Sequence, residues 1–537
     1  MRFLNLAITI GLTPVIFLMG TRLLDAYDEG IIATGAMLVS QGWIPHIDFY
    51  ANYGPASFYL PAALAALAGG DQFGVRWADA LLRAITVVYF AVSLKLLIGD
   101  QYLRKPAFWL PTISVLLLLA SVRFHGYPLF ACMAIFFPTA AYLIRNAAGE
   151  LHVETLLISG LLCGLCALFR YDVGFYQYVA IFIYYIHLTQ TKAYALKDTL
   201  SKLAIFSASA ALLPFAWLLY LYASTENGIG LSKFIFDIIT WPIENYAKFR
   251  GLPLPLLNSV SVFVIYLPLI AALLVIVDSI RNKKISIFQT LLLAATLLFY
   301  LKGYVRISAN HILASLIPAI LMLAYAHVST KGFVRHTSGL LLLIFLTSTI
   351  KVATVNLTSG ITIFAHFRKS VAGYFNEESN DTLSPRASSN PLARANEHYR
   401  RMVNQTFLLN MNRLNAITYL RQRVSRGDRF YSGLPQHQKI FVNDVMAYSL
   451  LGALPVGRWH HFDPGLQNTH AIQAQMISDF KENTPQYILL DATWENHIEQ
   501  NDSRLFSGVD LLDEYLRANY VVDVSFGPIF IMKLKAQ

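Results

Sequence analysis

Apolar residues fall in long runs through the first two thirds of the chain and fade after about residue 356. Runs of about 15–22 residues lie at 3–21, 78–98, 107–122, 128–144, 154–169, 175–190, 203–223, 258–280, 287–301, 312–328 and 337–355. They predict eleven membrane-crossing helices, several shorter than the roughly 20 residues a perpendicular span needs. Runs this long exclude a closed barrel, so helices must satisfy the backbone in lipid.

The first run is separated from the second by a long loop, residues 22–77. Two apolar segments of helical length, 30–40 and 58–67, lie inside it and are expected to rest along the membrane interface. A second long loop, 224–257, carries Trp241, Tyr246 and Phe249. Residues 366–391 are rich in Ser and Asn and read as a linker. Residues 392–426 predict a charged helix stopped by Gly427.

Strand-like runs follow at Arg429–Ser432, Lys439–Val442, Tyr487–Leu490, Tyr520–Val524 and Ile529–Met532, with helical segments near 469–482 and 508–518. That alternation predicts a small α/β domain. The expected organisation is mainly α: a polytopic transmembrane helix bundle over 1–356, a linker and charged helix over 357–427, and an α/β domain over 428–537.

Composition agrees. Of 537 residues, 55% are hydrophobic and only 14% are charged, against roughly 25% charged in soluble domains. The net charge of +10 sits in short loops, with no basic stripe interleaved with aromatics, so nucleic acid is not a predicted partner. With the N-terminus inside, twelve basic residues fall in inner loops and ten in outer loops, a weak positive-inside bias. Eleven spans then put the C-terminal domain outside the cytoplasmic (inner) membrane, in the periplasm or extracellular space. The first run has no small-x-small cleavage site and reads as a retained span. Cys132, Cys163 and Cys166 all lie in apolar runs, where small residues pack helices together, and predict no zinc or disulfide.

Ionisable groups near membrane depth are costly and are functional candidates by default. The first outer loop opens on Asp28 and Glu29 and continues through His46, Asp48 and Tyr53 to Gly54-Pro55. The plainer reading of Asp28 and Glu29 is a cap on the first span at the water interface. Cations come from other outer loops: Lys302, Arg306 and His311 in one stretch, Arg170 with Asp172 in another, and Arg123 with His125 in a third. Snorkelling at helix ends and an internal Arg170–Asp172 pair are the plain alternatives. In Arg458-Trp-His-His-Phe-Asp463-Pro-Gly465 an ordinary turn is preferred over a sugar platform.

Asp-Glu-Gly after the first span, Gln41-Gly-Trp-Ile-Pro45 with Asp48-Phe49-Tyr50, and Tyr53-Gly-Pro55 with Phe58-Tyr-Leu60 resemble the GT-C superfamily of membrane glycosyltransferases. The nearest branch is similar to protein O-mannosyltransferases and the aminoarabinose transferase of lipid A. The resemblance is sharp over residues 20–80. It implies transfer of a hexosyl or pentosyl group from a polyprenyl-phosphate donor to a lipid, glycan or protein hydroxyl. In that scheme Asp28 is the general base and Glu29 orients the acceptor or holds Asp28. Asp48, His46 and Tyr53 contact substrate, and Arg306, Lys302, Arg170, Asp172 and His311 serve the phosphate side. No cofactor is assigned, and a divalent metal is left open. The rival from another class is a transporter or lipid flippase, which calls for broken helices and charges near mid-span. An O-antigen polymerase or ligase would instead carry its large loop late in the chain.

Overall fold

The computed structural model describes residues 2–20, 24–67, 72–122, 125–147, 151–257, 260–350 and 411–536. Helix α1 (Arg2–Gly20) leads to two loop helices, α2 (Asp28–Ser40) and α3 (Ala56–Leu67). Then come α4 (Gln72–Ile98), α5 (Pro106–Ser121), α6 (Leu129–Asn146), α7 (Val153–Phe169), α8 (Tyr171–Thr191) and α9 (Leu196–Ala223). After a helical loop follow α12 (Val260–Asn282), α13 (Ile287–Tyr304), α14 (Leu313–Ser329) and α15 (Gly332–Ile350). Each of the eleven predicted spans has its helix, and six are long and apolar enough to cross a membrane by themselves.

Local chemistry explains several boundaries. Pro106 opens α5 at a position where a helix needs no N–H donor. Ser286 and Gln289 form a capping box at the start of α13. Prolines sit inside α1, α5, α6, α9, α12 and α14, and neighbouring helices make such breaks tolerable in a bundle. α4 packs on α1 and α6, α7 on α9, and α13 on α8 and α14. Their buried faces make one apolar core, with Leu129–Met133 and Leu316–Leu323 at its centre.

After α9 the chain is largely helical as far as Arg250 but changes pitch. α10 (Ile229–Ile235) runs into two π-helical stretches, Phe236–Thr240 and Pro242–Tyr246, and then α11 (Ala247–Arg250). Asp237, in the first π stretch, and Arg250, at the end of α11, are both buried.

The C-terminal unit opens with α16 (Met411–Arg421). That is the described part of the charged helix, which ends at Arg421, so residues 422–426 are turn and irregular backbone rather than helix; residues 392–410 and the linker lie outside the described residues. The unit continues with β1 (Arg429–Gly433), α17 (Met446–Leu451), β2 (Leu454–Pro455), α18 (His470–Glu482), β3 (Tyr487–Asp491), α19 (Leu511–Asn519), β4 (Tyr520–Phe526) and β5 (Ile529–Leu534). The sheet order is β2-β1-β3-β5-β4, parallel across its first three strands and antiparallel across its last three. Four of five predicted strands form. Lys439–Val442 does not: Lys439 Nζ is anchored on the Glu495 carbonyl 3.0 Å away, and the run is irregular backbone leading into α17.

α2 departs from the expected interfacial helix. Ten of its thirteen residues are buried, and a helix apolar all round belongs in a core. α2 is wedged between α3 and α17. Met446 N–H donates to Ala26 O at 2.9 Å, and Thr34 Oγ1 to Val445 O at 2.8 Å. A Cβ on Gly30 would stand 2.6 Å from Met446 N, so only glycine permits this approach. Ile31, Ile32 and Leu38 share one apolar core with Leu420, Phe430 and Met446. The membrane bundle and the C-terminal unit are therefore joined through α2.

Candidate active site

Asp25, Asp28 and Glu29 stand together at the head of α2. Asp25 accepts from the Tyr27 and Glu29 amides at 3.0 and 3.4 Å, and Glu29 Oε2 accepts from the Asp25 amide at 3.2 Å. This reciprocal pattern satisfies the orphan N–H groups of the first turn. Glu29 is fully buried and takes a two-pronged contact from Arg76 of α4, Nε to Oε1 at 2.6 Å and Nη2 to Oε2 at 3.0 Å. Burial pushes its carboxyl up, but Arg76 outweighs that and holds it below the ordinary range. Glu29 is thus clamped to the bundle.

Asp28 is different. It is half-buried, and among the described residues no group gives its carboxylate a hydrogen bond or ion pair. Burial, then the charge of Asp25, raises it to about 7, against the pull of Arg250 and Arg306. Its field also reaches Tyr53, Tyr127 and Lys302. A half-buried carboxyl shifted toward neutrality is the kind of group that marks a candidate site.

Opposite it lies a cluster of cations and phenols. Arg170 binds Asp172 at 2.8 and 3.2 Å, as the plain alternative expects, but its Nη1 also donates to the Tyr127 hydroxyl at 3.3 Å. Lys302 Nζ contacts the same hydroxyl. The Arg170 guanidinium lies 5.5 Å from the ring centres of both Tyr53 and Tyr127. His311 Nδ1 is 2.7 Å from Ser308 Oγ. Burial, then Lys302, Arg306, Arg170 and Arg250, push His311 down to about 2. Of these basic groups, three carry an acid of their own: Arg170 with Asp172, Arg250 with Asp463 and Arg306 with Glu499.

Arg306 is held by an acid from the C-terminal unit. Its Nη2 and Nη1 meet the two Glu499 oxygens at 2.5 and 2.6 Å. Burial raises the Glu499 carboxyl, but the Arg306 hydrogen bond leaves it below the ordinary range. Arg250 behaves alike: Nη2 and Nε reach Asp463 Oδ1 at 2.6 and 3.1 Å, and Nη2 reaches the Tyr27 hydroxyl at 3.2 Å. The turn around Asp463 is the expected one, with the Gly465 amide on Asn468 Oδ1 at 2.9 Å. Its carboxylate nonetheless meets Tyr27 and Tyr50 of the first loop as well as Arg250.

Two sequence candidates stand apart. Asp48 is exposed and caps its own turn, accepting from the Ile44 amide at 2.7 Å. His46 is buried with φ of 71°, and its Nδ1 lies 3.2 Å from Asp237 Oδ2. Asp237 also accepts from Arg458 Nη2 at 2.8 Å. His46 thus belongs to the seam with the C-terminal unit, and Asp28 faces neither group. His125 sits on Asp79 Oδ2 at 3.1 Å, and Arg123 lies outside the described residues.

Sequence reasoning missed Arg76, Tyr27, Arg250 and Glu499 as site neighbours, and it weighed the stretch holding Asp463 as a sugar platform before preferring a turn. Arg250 was legible only as a basic residue of an outer loop. Glu499 lies 193 positions from its partner and has no local signal.

No protein-family model matches the sequence, and a search of curated proteins finds no match. Solved structures do match. ArnT from Cupriavidus metallidurans bound to undecaprenyl phosphate superposes with a TM-score of 0.57 at 13% identity, covering 99% of this chain and 98% of that one. ArnT from Cupriavidus metallidurans in the apo state gives the same TM-score and identity over 99% of both chains. The archaeal oligosaccharyltransferase AglB from Archaeoglobus fulgidus, in complex with an inhibitory peptide and a dolichol-phosphate, gives a TM-score of 0.44 at 10% identity, covering 92% and 70%. The chain has the fold of these ArnT structures, a polytopic helix bundle with a small α/β unit at its C-terminal end.

Proposed function

We propose that this protein is a membrane glycosyltransferase that moves a sugar, hexosyl or pentosyl, from a polyprenyl phosphate to an acceptor hydroxyl at the outer face of the cytoplasmic membrane. Asp28 is the general base. The observation that carries this reading is a half-buried carboxylate with no hydrogen-bond or ion-pair partner among the described residues, raised toward neutrality by burial and within the electrostatic reach of Tyr127 and Lys302, which Arg170 joins through the Tyr127 hydroxyl.

The acceptor hydroxyl gives its proton to Asp28 as its oxygen attacks the anomeric carbon. The bond from that carbon to the phosphate oxygen breaks, and polyprenyl phosphate leaves with the electron pair. Lys302, Arg170 and the Tyr127 hydroxyl receive the charge that builds on the phosphate. Arg306 is less available for this than its position in the sequence suggested, because Glu499 already holds both its Nη atoms. Glu29 sets the backbone of the α2 head through Arg76. An ArnT structure of the same fold holds undecaprenyl phosphate, a donor-side product of this chemical class.

The test is mass spectrometry of envelope glycans from a strain lacking the chain, complemented with wild type or Asp28→Asn. Wild type restores one sugar that the deletion removes. Asp28→Asn inserts normally and restores none of it, a loss of about 10²–10⁴ in rate. An unchanged glycan profile with altered solute uptake overturns the reading in favour of transport.

A further inference from the structure

Asp463 belongs to no span and to no part of the first loop, yet its carboxylate lies at the centre of the contacts around the Tyr27–Asp28 peptide. Oδ1 accepts from Arg250 Nη2 at 2.6 Å and Nε at 3.1 Å. The Tyr27 hydroxyl lies 3.1 Å from the same oxygen and 2.6 Å from the Phe462 carbonyl, donating to one of them, while it accepts from Arg250 Nη2 at 3.2 Å. The Tyr50 hydroxyl reaches Oδ2 at 3.4 Å, and His461 Nε2 is 3.9 Å from it. Asp463 is 5% exposed and Arg250 6%. A buried pair ringed by fixed hydroxyls keeps one geometry, because moving either charge leaves the other unpaired in a dry site.

We infer that Asp463, from the C-terminal unit, is a positioning residue for the Asp28 base: it fixes Arg250 and Tyr27, and through them the placement and charge environment of the Asp28 carboxylate. The inference rests on the reading of Asp28 as base. Tyr27 is its chain neighbour, so a shift of the Tyr27 ring moves the first turn of α2. Arg250 and Asp463 act on Asp28 in opposite directions, the cation favouring the carboxylate and the anion opposing it. The other charges felt there come from Asp25 on the same segment and Arg306. Tyr53, Tyr127 and Lys302 face it from the second half of the loop, the α5–α6 loop and α13. His461, pushed down to about 3 by burial and then by Arg250 and Arg458, stays neutral and adds no charge.

The experiment follows the acidic limb of kcat/KM against pH in full-length protein, for Asp463→Asn, Arg250→Gln and the double variant. Asp463→Asn lowers transfer about 10–100-fold through misplacement and moves the limb about one unit to lower pH. Arg250→Gln moves it to higher pH. The double variant, which removes the pair, returns the limb close to wild type, and Asp463→Glu keeps it there. A structural role alone lowers folded yield and leaves the limb in place. Singles that do not move the limb, or move it the same way, overturn the inference. If Asp463→Asn does not fold, Tyr27→Phe, which removes the hydroxyl held by Asp463 and Arg250, decides: it lowers transfer in the same way, and an unchanged rate in it overturns the inference. An active Asp28→Asn variant removes the base reading itself, which is a separate outcome.

Discussion

Three carboxylates stand within five residues at the head of α2, and each has a different environment. Asp25 serves the first turn, Glu29 serves Arg76, and Asp28 is left to the chamber. For Asp28 this sets the pH dependence. A base works when deprotonated, so kcat/KM rises with pH through a midpoint of about 7; a profile flat between about pH 5 and 8 removes Asp28 from the role. For Glu29 the carboxyl is displaced the other way, and what depends on pH is stability. Its folded carboxyl lies below its ordinary 4.5, so its stabilising effect is present above that value and fades as pH falls through the depressed one. Arg76→Gln leaves a buried charge alone and costs about 3–5 kcal/mol. Thermal melts in detergent are expected to show that loss at neutral pH and a smaller one in acid, where Glu29 takes up a proton. The acidic pair after an apolar run was readable in the sequence. The division of labour was not, because Arg76 lies 47 positions from Glu29 and Asp463 lies 436 from Tyr27.

Helices were the most legible elements. Continuous apolar runs identify buried or lipid-facing helices without help from tertiary context, and all eleven have their helix. The strand that does not form and the edge strand that was not predicted have separate causes. Lys439–Val442 has strand composition, but Lys439 is tied to a carbonyl across the domain. β2 pairs only Leu454 and Pro455 with β1, too short a run to register as a pattern. α2 was found as a helix and given the wrong surroundings, since an apolar helix reads alike whether protein or membrane covers it. Gly30 decides between the two. Gly30→Val puts side-chain atoms into the Met446 backbone and is expected to cost about 1–3 kcal/mol by overpacking, with α17 more open to limited proteolysis. Gly11→Val serves as a control, because a Cβ there meets nothing within 4 Å. Equal losses in both variants speak against a specific α2–α17 fit.

At the scale of the molecule, the general architecture was visible and the docking was not. Arg250–Asp463, Arg306–Glu499 and Asp237–Arg458 each join residues 193 to 221 positions apart, beyond any local pattern. All three pairs set a cation against an acid across one seam, so the seam has a single register. The proposed orientation places this seam outside the cytoplasm. Lys481→Cys, in the last turn of α18 on an exposed surface, is expected to react with a membrane-impermeant maleimide in intact cells. The native thiols are all buried and give little background. Labelling only after permeabilisation reverses the topology.

The sharing of α2 bears on modularity. A graft of some other outer unit onto this bundle must supply a flat backbone for Gly30, an acid for Arg250 and another for Arg306, all at once. Chimeras cut at residue 428 will therefore tend to fail as a whole, because the joint is not a hinge between independent parts but a piece of both.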